Sequence, residues 1–394
     1  MLEHALRGSR GYRIWIAFLG VIVLAGFFFY LRQLDYGLGI TGMSRDVSWG
    51  LYIAQFTFLV GVAASAVMLV FPYYLHDYKA FGRITVLGEF LAVAAVVMCV
   101  LFVFVDLGQP SRVMNVLLHP TPNSILFWDM VVLSGYLLIN MVTGWVILSC
   151  SRKDIPPPGW VKPLIYLSIP WAISIHTVTA FIYAGLPGRS FWLTAIMAPR
   201  FLASAFASGP ALLILICLIL KHLGRFDAGE KAIQALAKIV AYALAVSIFF
   251  VGVEIFTVFY SGLPEHEAHF IYMFTGLHGH VNLVPWMWSS AVLALCALFM
   301  LIIPKVRKQE RWLAVACVAV FASLWIEKGL GLVITGFIPS PLEAITEYNP
   351  TGLEIAITLG VWAFGFLILT VFYRIFTGVR SGIESAGGPI DRKH

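Results

Sequence analysis

The chain has 394 residues, of which 60% are hydrophobic and only 12% are charged, and its formal net charge is +6. A soluble domain carries about twice that charged fraction, so the composition excludes an ordinary soluble enzyme and predicts a polytopic membrane protein. The five cysteines form no CxxC pair, which argues against a disulfide framework or an iron–sulfur ligand set.

Ten apolar runs are long enough to cross a bilayer, which takes about 20 helical residues. They lie near 12–33, 49–75, 83–105, 124–149, 163–185, 200–221, 237–260, 283–304, 312–337 and 352–374. The predicted fold class is therefore all-α, with ten transmembrane helices in one membrane domain spanning 1–394.

Spans 2 and 6 carry small residues three or four positions apart, and such residues let membrane helices approach closely. This pattern predicts two four-helix bundles, one of spans 2–5 (49–185) and one of spans 6–9 (200–337). Spans 1 and 10 would flank the bundles.

The distribution of Lys and Arg predicts the orientation. With a cytoplasmic N-terminus, all but six of the 26 basic residues fall in cytoplasmic segments, as the positive-inside rule requires. Both termini are thus predicted to be cytoplasmic, in the cytoplasmic (inner) membrane. The six basic residues outside the cytoplasmic segments are Arg32, Arg45, Arg112, Arg189, Arg200 and Lys328.

The outer loops are long, proline-rich and aromatic. This composition fits a docking face for another protein, a roof over a site, or plain solvated loops.

Polar residues at membrane depth need a reason, because a charge at the bilayer centre costs at least ~2.5–3.5 kcal/mol on insertion scales. Glu327 and Lys328 are compatible with ion pairs to another helix or with a functional role, and His176 with a backbone hydrogen bond or a functional role. The polar residues within the spans or near their outer ends are Tyr52, Gln55, Glu89, Asp106, Arg112, Asp129, His176, Thr177, Arg200, Glu254, Glu327 and Lys328.

The sequence shows no set of side chains that could ligate a heme or a metal ion, so neither is expected in this chain. Only His176 lies deep in a span, whereas a b-type heme needs two histidines. The outer-loop histidines of "HEAH…HGH" fit no zinc spacing, so no metal site is expected. No Walker loop or Ser/His/Asp set is visible.

The polar residues concentrate in the outer half of spans 2–5, which suits a quinone, a ligand with two carbonyl or hydroxyl ends and a lipid-soluble tail. Quinol oxidation releases two protons, and this gives Asp129 and His176 predicted catalytic roles as proton acceptors. Glu89, Asp129, His176, Glu254 and Glu327 are spread across the membrane depth, which is compatible with a partial proton path. A secondary transporter and a purely structural anchor are the alternatives.

The stretch "DLGQPSRVMNVLLHPTPNSILFWDMVVLSG" (106–135) resembles the hallmark segment of the NrfD/PsrC family of quinone-interacting membrane subunits. "WGLYIAQFTFLVGVAASA" (49–66) resembles the opening of its first bundle, and "PWAISIHTVTAFIYA" (170–184) a helix of its ten-span branch. Gln109 stands where the family often has a basic residue. Within the branch, the length and span number are most similar to the DsrP and HmcC types of sulfur-metabolising microbes.

The resemblance implies menaquinone or menaquinol bound near the outer face, in a respiratory complex whose membrane subunit is not catalytic alone. It implies an outer partner with several [4Fe–4S] clusters, often a multiheme cytochrome c, and other membrane subunits, with no nucleic acid. "VMNVLL" is expected to form a short amphipathic lid. The predicted quinone-binding residues are Tyr52, Gln55, Asp106, Arg112, His119, Thr177 and Arg200.

Overall fold

The structure, a computed structural model, describes residues 9–224 and 226–385. Its ten long helices, α1 to α10, correspond to predicted spans 1 to 10, and each is long and apolar enough to cross a membrane. No strand occurs within these ranges, so the all-α fold with ten spans is confirmed. The helices are α1 Arg10–Tyr36, α2 Leu51–Leu75, α3 Thr85–Asp106, α4 Ile125–Lys153, α5 Val161–Ala184, α6 Met197–His222, α7 Glu230–Ser261, α8 Val284–Ile302, α9 Glu310–Thr335 and α10 Gly352–Ser385.

The helices pack as two groups of four. Helices α2 to α5 contact one another in chain order and α5 returns to α2, while α6 to α9 do the same and α9 returns to α6. The groups meet where α2 contacts α6 and α9 and where α5 contacts α6. Helix α10 packs on α1 and α3, so the flanking pair lies against the first group. The residue limits given to the two bundles as parts of the domain stay a prediction.

Burial separates the helices that form the core from those that face lipid. Every residue of the first part of α2, Leu51–Ala63, is buried, as is most of α3. Large apolar side chains of α1 and α7 are exposed instead, among them Phe18, Leu24 and Phe256. In a membrane protein such faces contact acyl chains.

Two irregularities bring polar residues into the core. Helix α2 is interrupted between Ala63 and Val67. Helix α9 contains a π-helical segment, Trp325–Gly331, that carries Glu327 and Lys328. Wide turns of this type occur frequently at functional sites, and here the segment lies where the two groups of helices meet.

The side that the basic residues predict to be external is called the outer side below. The loop after α3 lies there and contains the short helix Asn115–Leu118, with Met114, Leu117 and Leu118 exposed. The structure thus has a short helix here, whereas its role as an amphipathic lid stays a prediction. The two chain ends, Met1 and His394, lie outside the described residues, so their cytoplasmic location stays a prediction.

Candidate functional site

Asp129 is buried on α4, and its carboxyl group faces α5. The hydroxyl of Thr179 lies 2.7 Å from Asp129 Oδ1 and 2.7 Å from the carbonyl oxygen of Ile175. Thr177, the threonine predicted from the sequence, is only half-buried and donates to the carbonyl of Ile173 on its own helix at 2.9 Å. The structure therefore pairs Thr179, and not Thr177, with the acid.

Tyr183 is buried one turn beyond Thr179, at the outer end of α5. Its hydroxyl contacts the hydroxyl of Thr57 on α2, and the charges of both Asp129 and Asp106 act on it. The ring packs against Trp192, with 5.1 Å between the ring centroids. Tyr183 follows Thr179 by four positions and so shares its helix face, a spacing that could have identified it from the sequence.

Gln33 and Tyr52 form a hydrogen-bonded chain at the outer ends of α1, α2 and α3, and together with Asp106, the residue after Val105, they are called the outer polar cluster below. The Tyr52 hydroxyl donates to Gln33 Oε1 at 2.7 Å, and Gln33 Nε2 donates to the Val105 carbonyl at 2.6 Å. The charge of Asp106 acts on Tyr52. Within the described chain, Asp106 Oδ1 is buried and has no hydrogen-bond partner.

Glu354, which sequence reasoning missed, is a second carboxyl next to this cluster, and its oxygens are fully used. They accept from the Tyr348 hydroxyl at 2.7 Å, the Gly42 amide at 2.7 Å and the Thr351 amide at 2.8 Å. Burial and the Glu354 charge raise the pKa of Tyr348, so this phenol stays protonated. Glu354 therefore joins the α1–α2 loop to α10, and Asp106 is left as the carboxyl with unused hydrogen-bonding capacity.

Gln55 is buried where α2, α9 and α10 meet. Its Oε1 accepts from the indole nitrogens of Trp325 and Trp362, each at 2.9 Å. Indoles only donate, which determines the orientation of the amide. Gln55 Nε2 consequently points elsewhere and has no acceptor among the residues that the structure describes. A buried donor of this kind is rare unless water or a ligand accepts from it.

His176 and Lys328 are buried where the two groups of helices meet. Neither ring nitrogen of His176 has a partner in the described ranges, so the backbone hydrogen bond considered from the sequence is not formed. Lys328 Nζ lies 3.4 Å from the Phe201 carbonyl and 4.2 Å from the centroid of its ring. The charge of Lys328 acts on His176.

The second group of helices holds a buried ion-pair triad, formed by Arg200 of α6, Glu254 of α7 and Glu327 of α9. The guanidinium contacts both carboxylates directly, and Arg200 Nε lies 3.1 Å from Glu327 Oε1. One positive and two negative formal charges give the triad a formal charge of −1. Glu327 thus makes an ion pair to another helix, which is one of the two roles that the sequence allows. The guanidinium of Arg200, a predicted quinone-binding residue, is occupied in this triad, away from the outer polar cluster.

Three further predicted residues lie apart from these groups. Glu89 is buried near the other end of α3, beside Thr143 of α4. At 1.5 Å per helical residue it is about 25 Å from Asp106. Arg112 and His119 are exposed in the loop after α3. Their assignments as proton-path and quinone-binding residues stay predictions. Within the described residues, no group of three or more His, Cys, Asp or Glu could hold a metal ion.

A comparison with known families decides the relationship. Residues 39–339 match the sequence profile of the polysulphide reductase NrfD family. The chain belongs to this family. The resemblance seen in residues 106–135 is thereby confirmed, whereas assignment to the DsrP or HmcC type stays a prediction.

Three NrfD-like relatives align over nearly their whole lengths. A protein of Halobacterium salinarum named as a membrane subunit of a dimethyl sulfoxide reductase is 26% identical, with 95% of this chain and 93% of that protein covered. The Hdr-like menaquinol oxidoreductase integral membrane subunit of Archaeoglobus fulgidus is 24% identical, with 92% of each covered. The integral membrane subunit of a menaquinone reductase from Nitratidesulfovibrio vulgaris is 22% identical, with 92% and 91% covered.

Proposed function

We propose that this chain is the quinone-interacting membrane subunit of a respiratory oxidoreductase complex and that its quinone is menaquinone or menaquinol. The observation that carries the proposal is the outer polar cluster, where Tyr52 and Gln33 hydrogen-bond toward the Val105 carbonyl and the next residue, Asp106, has a buried carboxyl oxygen with no partner among the described residues. Two relatives support the ligand, since one is named a menaquinol oxidoreductase and the other a menaquinone reductase. Their names imply opposite directions of electron flow, and the proposal includes both.

The residues of the outer half fit such a ligand. Asp106 Oδ1 offers a free acceptor for a quinol hydroxyl, and Gln55 Nε2 offers a free donor for a carbonyl. When bound, menaquinol supplies two electrons and two protons. Asp129, held by Thr179, and His176, with two free ring nitrogens, are the groups of this chain that would hold those protons.

The outer loops provide the surface on which we expect partner subunits to bind. We propose that an iron–sulfur subunit with several [4Fe–4S] clusters binds on the outer side and exchanges electrons with the site, alongside a cytochrome c and further membrane subunits. The exposed Val113, Met114 and Leu117 of the loop after α3 provide an apolar surface next to Asp106. Partner contact or membrane contact would cover such a surface.

Proton translocation is a second candidate function, and one observation favours it. Lys328 and His176 are buried, lack strong partners, and lie between the two groups of helices. Groups of this kind inside a membrane protein are costly and are typical of proton relays. Glu89 on one side and the Arg200 triad on the other would be the flanking charges.

The test is menaquinol-dependent reduction of the partner by the purified complex. Asp106→Asn and Tyr52→Phe remove the acceptor and the hydroxyl with little change in volume, and we expect each to slow the reaction by about 10-fold or more. Glu310→Gln, a change at an exposed carboxylate on the predicted cytoplasmic side, is the matched control and should have no effect.

Normal rates in both cluster variants would contradict the proposal. A purely structural anchor predicts that result together with normal assembly. A secondary transporter predicts a different one, namely purification without any redox-active partner.

A further inference from the structure

A cleft opens between α1, α3 and α10, outside both groups of four helices. Its volume is about 280 Å³, and its lining is apolar apart from one hydroxyl group. Phe27 and Tyr30 of α1, Leu101 and Val105 of α3 and Val361 of α10 contribute to the walls. These positions belong to the outer halves of their helices.

The cleft is bounded by a close contact between α1 and α10. Gly26 and Gly360 both line it, and a Cβ atom added at Gly26 would lie 2.6 Å from the Gly360 Cα. The absence of side chains at these two positions lets the helices approach while the space beside them stays open. The neighbouring Leu24 and Phe28 are exposed, so the mouth of the cleft opens toward the lipid-facing side of α1.

One end of the cleft meets the outer polar cluster. Tyr30 lines the cleft and is 9% exposed, yet its hydroxyl has no partner among the residues described. Val105, which also lines it, accepts the Gln33 amide hydrogen bond, and Asp106 is the next residue. The cleft is thus apolar along its walls and contains one buried hydroxyl without a partner, a pattern that calls for a polar group on whatever fills it.

We infer that this cleft binds the isoprenoid tail of the quinone and directs its head group to Asp106 and Tyr52, an inference that rests on the proposed function. A phospholipid has the same hydrocarbon chemistry but carries a phosphate. No basic side chain lines the cleft to pair with a phosphate. The quinone would then reach the cluster from the α1–α10 side of α3 and not from the lipid-facing side of α4 and α5.

Photolabelling tests the inference directly. Membranes containing the full chain are illuminated with a menaquinone analogue that carries a diazirine in its isoprenoid tail, and the labelled peptides are sequenced. We expect label on α1, α3 and α10 around residues 23–30, 101–105 and 357–364, reduced by excess unlabelled menaquinone. A phosphatidylglycerol with a diazirine in its acyl chain serves as the parallel probe.

Variants test whether the labelled peptides mark quinone that is bound in the cleft. Val361→Trp fills the space and should reduce competable labelling by about tenfold, a change equivalent to about 1.4 kcal/mol of binding. Leu359→Trp is the matched control, because Leu359 lies on the same helix, is 55% exposed and does not line the cleft. Tyr30→Phe removes only the hydroxyl and should weaken quinone labelling while leaving lipid labelling unchanged.

The outcomes separate this inference from the proposed function. Competable quinone label on α4 and α5 would overturn the inference and leave the proposed function standing. Label in the cleft from the lipid probe alone, not competed by menaquinone, would also overturn it. If no part of the chain takes competable quinone label and the complex does not oxidise menaquinol, the proposed function fails as well.

Discussion

The Thr179 hydroxyl of α5 lies 2.7 Å from Asp129 Oδ1 of α4, within the buried contact between these two helices. The same hydroxyl lies 2.7 Å from the Ile175 carbonyl. A hydroxyl has one hydrogen to donate, so a proton on Asp129 would allow both contacts to be hydrogen bonds. The pair is therefore built to accept a proton at the carboxyl without rearrangement of the helices.

Substitution of Asp129 tests this role. Asp129→Asn keeps the shape but cannot take up a proton, and we expect menaquinol-dependent partner reduction to fall by about 10²-fold or more if Asp129 is the general base. Thr179→Val should have a smaller effect in the same assay, whereas Thr257→Val, a matched control at a threonine of α7 that donates to the Val253 carbonyl of its own helix, should have none. Equal losses in the two threonine variants would contradict a specific role for the Asp129–Thr179 contact.

His176 has a parallel prediction with a different control. His176→Ala removes both free ring nitrogens, and a loss of about 10²-fold in quinol oxidation is expected if it accepts a proton. His222→Ala changes an exposed histidine on the predicted cytoplasmic side and should leave the rate unchanged. Assembly, followed by co-purification of the partner, should persist in both, because His176 is fully buried and away from the outer surface. Unimpaired oxidation in His176→Ala would place the acceptor elsewhere.

The Arg200 triad should matter for stability more than for the reaction. Arg200→Met leaves the Glu254 and Glu327 carboxylates buried without their cation, and removing one partner of a buried ion pair costs about 3–5 kcal/mol. Thermal unfolding of the purified protein should therefore occur at a clearly lower temperature. Adding Glu254→Gln and Glu327→Gln to Arg200→Met removes both negative charges and should restore much of the loss. Arg112→Met, at an exposed arginine, is the control.

His269, which lies between α7 and α8, is expected to make the stability of the outer side depend on pH. Its Nδ1 lies 2.9 Å from the Ile338 carbonyl and its Nε2 lies 3.1 Å from the Ser190 hydroxyl. Burial lowers the pKa of His269, and the hydrogen bonds to the Ile338 and Thr335 carbonyls offset only part of this shift. The unfolded chain, with a histidine pKa of about 6.5, therefore binds a proton at a higher pH than the folded chain does.

This difference in pKa between the folded and the unfolded chain decides how stability changes with pH. Stability should be greatest above about pH 6.5 and decline as the pH falls toward the folded pKa, because the unfolded state then binds more protons. Protease sensitivity of the helix Pro264–Phe274 at pH 7.5 and 5.5 would show the change. His269→Gln cannot take up a proton here and should flatten the dependence. A profile that is identical in the two proteins would contradict the assignment.

The orientation can be tested with reporter fusions. A reporter after His394 and one inserted at Asp154, between α4 and α5, should both read as cytoplasmic, and one at Glu343, between α9 and α10, as external. Ten crossings place the first two sites on the same side. An external reading at His394 would reverse the predicted topology.

The sequence by itself determined the class, the number and approximate limits of the spans, the family and most of the buried acidic and basic residues. These properties are local, since about 20 consecutive apolar residues define a span wherever it lies in the bundle. Residues 106–135, for example, carried the family resemblance without any knowledge of their neighbours in space.

Only the tertiary structure decided which polar groups meet. Thr177 and Thr179 both lie on α5, and the sequence does not show which of them faces Asp129 on α4. The rotation of α5 against α4 brings Thr179 into hydrogen-bonding distance of the acid. Arg200 finds Glu254 and Glu327 on two other helices, 54 and 127 positions away. Such contacts depend on the rotation and adjacency of whole helices, which packing sets collectively and which no local pattern encodes. The cleft between α1, α3 and α10 has the same origin, because three segments far apart in the chain form it only after the helices have packed.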